Sequence, residues 1–133
     1  MSTLVSDITR AAERIAPCHH AYADDRIGHQ VGDPSQVVKK CVVTFDISLA
    51  AIEFAASQGA QCVVSHHPLI WHPLTHLTGQ NYTERRVMKL MQNGIAHVAA
   101  HTNWDACPGG LNDFLAEQLG LINIAPMGTA NPR

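Results

Sequence analysis

Several features that assign a protein quickly are missing from this sequence. No apolar run within its 133 residues approaches the roughly 18 residues of a membrane span, so no membrane partner is predicted. The first ten residues hold Ser, Thr, Asp and Arg where a secretory signal needs an apolar centre, so export is not predicted. Nine Lys and Arg stand against eleven Asp and Glu, a net charge of −2, and no basic stripe forms. Nucleic acid is therefore not a predicted partner, because neutralising a phosphate backbone takes clustered cations. No acidic or basic tail, short repeat or low-complexity segment is evident. The four cysteines, at 18, 41, 62 and 107, form no C-x-x-C pair. That excludes a zinc ribbon or a redox motif of that kind and fits free thiols in a reducing, cytoplasmic setting. Cys41 and Cys62 fall inside apolar strand candidates and are expected in the core.

What is present is an ordinary globular composition, 46% hydrophobic, in a length that fits a single α/β domain over residues 1–133 with its own core. Leu4, Val5, Ile8, Ala11, Ala12 and Ile15 recur at helical spacing until Pro17. A polar stretch from Cys18 to Ser35 follows, with Gly28, Gly32 and Pro34 as turn signals, and reads as irregular. Then elements alternate. Residues 41–45 read as a strand, and Ser48 caps a helix that ends at Gly59. Residues 62–65 read as a second strand, and a loop with Pro73, Gly79 and Asn81 leads to a helix from about Thr83 to Gln92. Residues 95–100 read as a third strand, and a loop through Pro108-Gly109-Gly110 leads to a helix from about Leu111 to Leu119. The tail from Ile122 to Arg133 gives no clear element. Short strands without polar alternation are expected to be buried on both faces. The order β-α-β-α-β-α therefore predicts a mostly parallel sheet with helices packed on it. Right-handed crossovers put all strand ends on one side, where such sheets bind ligands.

Nine histidines are more than the composition needs, and two groups fall at predicted strand ends. In Ser65-His66-His67-Pro68, a turn at the end of the strand can bring both imidazoles to one cavity, where they could serve two neighbouring metal ions. A bare His pair can equally be solvated or hydrogen-bonded. His101-Thr102-Asn103-Trp104-Asp105 offers an imidazole and a carboxylate that can converge on a cation, although Asp105 could instead start the following helix. Mixed His and carboxylate ligation suits Zn²⁺, Fe²⁺ or Mn²⁺.

Val63-Val64-Ser65-His66-His67-Pro68-Leu69-Ile70, then Ala100-His101-Thr102-Asn103-Trp104-Asp105, then Gly110-Leu111-Asn112-Asp113 resemble the GTP cyclohydrolase 1 type 2 family, also described as Nif-three-like dinuclear-metal-centre hexameric proteins. The intervening order agrees: Gly32-Asp33-Pro34, Phe45-Asp46-Ile47 and Gly59-Ala60. The likeness runs from about Asp25 to Leu121. It implies the first half of the Nif-three-like α/β fold, a metal-binding domain with His66, His67 and Asp105 as ligands, and His101 beside them in a supporting place. It also implies up to two divalent ions with water or hydroxide between them, and ring-like homo-oligomers. Members commonly have a second half, similar in build to the first, that adds a His and a Glu to the centre. The implied function is a divalent-metal-binding protein resembling a dinuclear-metal hydrolase, with metal-activated water attacking a nucleotide or related small substrate. The alternative is a non-catalytic binding, assembly or regulatory module that retains a partial metal site. Where the family commonly has Trp-Asp-Asn-x-Gly-Leu, this chain reads Asp24-Asp25-Arg26-Ile27-Gly28-His29, and only Asp25 and Gly28 match. Arg26 and His29 can line the same cleft and meet an anion, or lie on a solvated loop. Of the rest, His72 and His76 are expected to face water and His97 to be a hydrogen-bonded structural residue. Positive charge at His19 and His20 would suit the end of the first helix. Glu84, Arg85 and Arg86 are expected on the exposed face of their helix.

Overall fold

Three apolar runs, each ending where a polar or histidine-bearing segment begins, become neighbouring strands. In the computed structural model, which describes residues 2–126, β1 is Gly28–Val31, β2 Cys41–Thr44, β3 Cys62–Ser65 and β4 Ala96–Ala99. They form one sheet in the order β1-β4-β3-β2. β2 pairs with β3, and β3 with β4, in parallel, Cys41 opposite Cys62 and Cys62 opposite Ala96. The predicted parallel core is thus present, with one addition: β1 lies antiparallel against β4, inside the stretch read from sequence as irregular. Gly28 and Gly32, which read as turn signals, sit just where the strand begins and just after it ends, with φ of 92° and 102°. A register shift between His29 and Val31 bends the strand, as a bulge does. β4 is buried along its whole length. β2, expected to be buried on both faces, is an edge strand instead, and Val43 is 80% exposed.

Helices cover both faces. α1 (Val5–Ile15) starts where the Asp7 carboxylate accepts the Leu4 N–H at 2.8 Å, which satisfies a free donor of the first turn. Its Val5, Ile8 and Ala12 pack on one face of the sheet with Val38, Cys62, Ala96 and Val98. Ile15, placed on the same stripe by its spacing, is 71% exposed. On the opposite face lie α2 (Leu49–Ser57) and α3 (Tyr82–Gln92). Ser48 caps α2 through Oγ on the Ala51 N–H at 3.1 Å, as its position predicted. Asn81 caps α3 through Oδ1 on the Glu84 N–H at 2.9 Å. Ile52, Ala55, Val87 and Leu90 from these helices meet Val31, Val63 and Ile95 in the larger core cluster. Each fully buried Leu or Ile there contributes about 1.5–3 kcal/mol.

Past β4 the chain does not run on as a loop. α4 (Thr102–Ala106) forms at once and is followed by α5 (Leu111–Gln118). Asp105, which could have started the helix after it, therefore lies inside a short helix of its own. No helix among the described residues is long and apolar enough to cross a membrane. Residues 119–126 form no helix or strand, and the rest of the tail lies outside the described residues.

Candidate metal centre

Parallel pairing of β2, β3 and β4 brings the segments after their carboxyl ends together. Phe45 and Asp46 follow β2, His66 and His67 follow β3, and His101 follows β4. His66, His67 and His101 each present one ligand nitrogen within 4.8 Å of the other two. The two predicted strand-end groups thus do meet, and His101 stands inside the cluster rather than beside it.

Each ring is held from behind by a different acceptor. His66 Nδ1 donates to the Ala100 carbonyl at 3.1 Å, His67 Nδ1 to Asp46 Oδ1 at 2.6 Å, and His101 Nδ1 to Asp25 Oδ1 at 2.8 Å. A ring nitrogen facing a carbonyl oxygen must carry the proton, so the other nitrogen of a neutral ring is a bare lone pair. That is how metal-ligating histidines are oriented. Burial of His66 holds its pKa below the usual value against the opposing pull of Asp105, and so keeps it neutral. Asp105 approaches from α4, with Oδ1 3.5 Å from His66 Nε2. Two donors at the bond lengths typical of zinc, in a tetrahedral arrangement, stand about 3.4 Å apart. Asp105 thus stands at a co-ligand's distance from His66, but outside the group in which the three histidine nitrogens converge.

The supporting residues explain the precision. Asn103 is buried; its Oδ1 accepts the His101 N–H at 2.8 Å and its Nδ2 donates to the Ala16 carbonyl at 2.6 Å, tying the site to the end of α1. Asp25 is buried as well. Besides the His101 ring it accepts the Thr102 N–H at 3.0 Å, the Arg26 N–H at 2.7 Å and the Thr102 hydroxyl. Burial raises the Asp25 pKa, but the Thr102 hydroxyl, His101 and the two backbone donors outweigh it and leave the carboxylate ionised below its usual range. Gln30, on β1, accepts the Leu69 and Ile70 N–H groups at 2.8 and 3.0 Å and donates to the Ile70 carbonyl, stapling the segment after His67-Pro68. Aromatic rings close the sides. Phe45 stacks on His66 at 4.8 Å, Trp104 meets His66 at 5.8 Å, and Trp71 meets His101 at 6.0 Å.

Sequence reading missed Asp46 and Gln30 as site residues and left Asp25 without a role. Asp25 had a signal, its match to the family segment; Asp46 had only its place after a strand. Arg26 is exposed and donates from Nε to the Trp71 carbonyl at 3.1 Å, at the rim of the cluster. His29 turns instead to the Val31 carbonyl at 2.9 Å. His72 and His76 are exposed, as expected. His97 is fully buried, with Nε2 2.7 Å from Ser65 Oγ, which bears out the structural reading. Glu84 departs from expectation: it is buried, not on an outer face. Its carboxylate accepts the Thr78 N–H and hydroxyl, both at 2.9 Å, the Gln80 N–H at 3.1 Å and the Asn81 amide at 2.6 Å. Arg86 is half-buried too, donating to the Ile47 carbonyl at 3.1 Å over the Tyr82 ring. N–H groups of the loop before α3 need an acceptor once buried, and Glu84 supplies it for Thr78 and Gln80.

Fold and site together define an α/β protein with a histidine cluster at its strand ends that could hold a metal ion. The sequence matches the family described as Duf34/NIF3 (NGG1p interacting factor 3) over residues 3–131, and the chain belongs to that family. It is 38% identical over 120 residues to a GTP cyclohydrolase 1 type 2 homolog of Lactococcus lactis subsp. lactis, a match covering 90% of this chain and 47% of the relative. Among solved structures it is similar to Staphylococcus aureus hypothetical protein SA1388, with TM-score 0.88, 31% identity, and 96% of this chain on 42% of that one. Reduced HcgD from Methanocaldococcus jannaschii matches with TM-score 0.86, 35% identity, and 98% of this chain on 52% of that one. The chain spans about half the length of the curated relatives it matches.

Proposed function

We propose that residues 1–133 act as one divalent-metal-binding domain, in which His66, His67 and Asp105 hold the ion, and that the site serves hydrolysis of a nucleotide or related small substrate. The observation that carries this reading is the anchoring of His66, His67 and His101 through Nδ1, each by its own acceptor, which leaves Nε2 of every ring as the atom that can meet an ion. Burial keeps His66 neutral, as ligation requires. His101 lies near enough to join as a ligand or to hold a bound water. When bound, a divalent ion supplies Lewis acidity that lowers the pKa of water toward neutrality. The chain's own part is to hold the ligands: Asp46 and Asp25 orient two rings, Asn103 fixes the backbone at His101, and Phe45 and Trp104 limit access of bulk water to His66. Mixed nitrogen and carboxylate donors suit Zn²⁺, Fe²⁺ or Mn²⁺. The family name of the relatives supports a nucleotide as substrate. A homo-oligomer would place copies of the site together, and four free thiols suit a cytoplasmic setting.

The test is metal content after chelator-free purification, followed by hydrolysis of a nucleotide panel with each metal. Bound metal and turnover are expected, and both should fall to background in the double variant His66→Ala, His67→Ala. Purified protein without metal, and activity untouched by the double variant, would end the proposal. A second reading is a non-catalytic binding or assembly module with a partial metal site, supported by the three histidine nitrogens that cluster without a further acid among them. It predicts metal affinity without turnover.

A further inference from the structure

Away from the histidines, β2 and β3 carry a second pair of reactive side chains. Cys41 and Cys62 are register partners at the first positions of these parallel strands. They lie at the opposite end from His66 and His67, and three residues separate Cys62 from His66. Both thiols face α1: Cys62 is a buried member of the cluster formed with Val5 and Val98, and Cys41 packs against it from the sheet edge. Neighbouring strands run about 4.8 Å apart, and disulfides span Cα separations of about 4.4–6.8 Å. Directly opposed cysteines on one face of a sheet therefore need little backbone movement to be joined.

We propose that Cys41 and Cys62 form a dithiol modification site, oxidised by hydrogen peroxide to an intrachain disulfide that links β2 to β3. The two residues have complementary properties. Cys41 is half-buried on the edge strand and within reach of a small oxidant, whereas Cys62 is fully buried. The neighbouring Cys62 thiol pulls the Cys41 pKa down to about 7, and the Cys41 thiol, with burial, pushes Cys62 up; Cys41 Sγ itself lies 3.7 Å from the Val42 carbonyl. Cys41 is thus the nucleophile and Cys62 the resolving thiol. The Cys41 thiolate attacks one peroxide oxygen, the O–O bond breaks, and hydroxide leaves, giving the Cys41 sulfenic acid. The Cys62 sulfur then attacks the Cys41 sulfur, forming S–S and breaking S–O. The departing oxygen takes the Cys62 proton and leaves as water. In total, two thiols lose two electrons and two protons, and the peroxide becomes two waters.

The experiment is intact-mass and peptide mapping of the whole folded chain after treatment with equimolar hydrogen peroxide. The expected result is loss of two hydrogen masses, free thiols falling from four to two, and a Cys41–Cys62 cross-linked peptide that disappears on reduction. Cys41→Ser should abolish the cross-link, and Cys62→Ser should stop the reaction at a sulfenic acid trapped on Cys41 by dimedone. Should Cys62→Ser fail to fold, Cys62→Ala serves the same purpose, and the wild-type map decides by itself. Both cysteines still alkylatable after treatment, or a disulfide that joins either one to Cys18, to Cys107 or to another chain, overturns the proposal.

Discussion

An imidazole tied through Nδ1 to a carboxylate is fixed in orientation and made a better donor at Nε2. His67 has this support from Asp46, and His101 from Asp25. Asp46 is exposed and supports no other described ring, so Asp46→Asn isolates the effect on the metal. Affinity should fall about 10–100-fold while the denaturation midpoint stays put; titration calorimetry with Zn²⁺ reads the first and a urea melt the second. An unchanged affinity would leave His67 without a ligand role. His97 makes a different prediction. Ser65 spends its hydroxyl proton on the His67 carbonyl at 2.6 Å, so His97 must donate from Nε2, and its Nδ1 is left buried without a partner among the described residues. Burial, with help from Arg86 and His29, lowers its pKa from 6.5 to about 4. Between those values the unfolded chain takes up a proton that the folded chain refuses. Stability is therefore full above pH 6.5 and falls as the pH drops toward 4, by at most about 1.4 kcal/mol per unit from this residue. Urea melts at pH 7 and 5 should show a smaller loss for His97→Gln than for the native chain; equal losses would mean that His97 is not the group responsible. Of the site, the sequence made legible the residues that carry a chemical signature at a strand end, His66, His67, His101 and Asp105. The supporting residues were hidden because their partners are distant: Asp25 reaches His101 across 76 positions, and Gln30 reaches Ile70 across 40. Spacing rules see only what lies within a turn or a strand.

At the scale of elements, the strands that were legible are those whose apolar runs are dictated by burial, at 41–44, 62–65 and 96–99. A cap at Ser48 marked one helix for the reason caps exist, a side-chain acceptor for a free N–H; Asn81, read as a loop residue, caps another. β1 escaped because Gly28-His29-Gln30-Val31 has no apolar run, and its pairing with β4 is set by backbone shape instead. Gly32 carries that shape. Its φ of 102° is one that side chains rarely adopt, and a Cβ there would lie 2.7 Å from the Ala96 Cβ and 2.8 Å from the Ala96 Cα. Both the backbone and the start of β4 would have to give way. Gly32→Ala should destabilise the fold by about 1–3 kcal/mol, in the range of an overpacked or strained backbone position, and thermal melting measures it. A Gly59→Ala control has positive φ but open space around it, so it should cost less. If the two variants melt alike, close packing of β1 on β4 is not what the glycine serves.

The whole molecule joins these scales through linkage. The ligands of the proposed centre come from two strands: His66 and His67 follow β3, and Asp105, with His101 nearby, follows β4. Unfolding scatters them over some forty positions of chain, so the ion binds the native state far better than the unfolded one. Binding must then appear as stability. At free metal about 100 times the dissociation constant, the gain is about 2.7 kcal/mol. Melting curves with and without Zn²⁺, Mn²⁺ or Fe²⁺, and again after chelation, should show a midpoint that rises with metal concentration and returns when the metal is removed. The gain should vanish in the double variant His66→Ala, His67→Ala, judged against that variant's own apo midpoint, because His66 is buried and its loss also costs packing. This readout does not depend on turnover, so it separates a metal-holding fold from a catalyst. A midpoint that ignores metal at every concentration would remove the centre from both readings at once, since even a non-catalytic module with a partial site must be stabilised by an ion it binds.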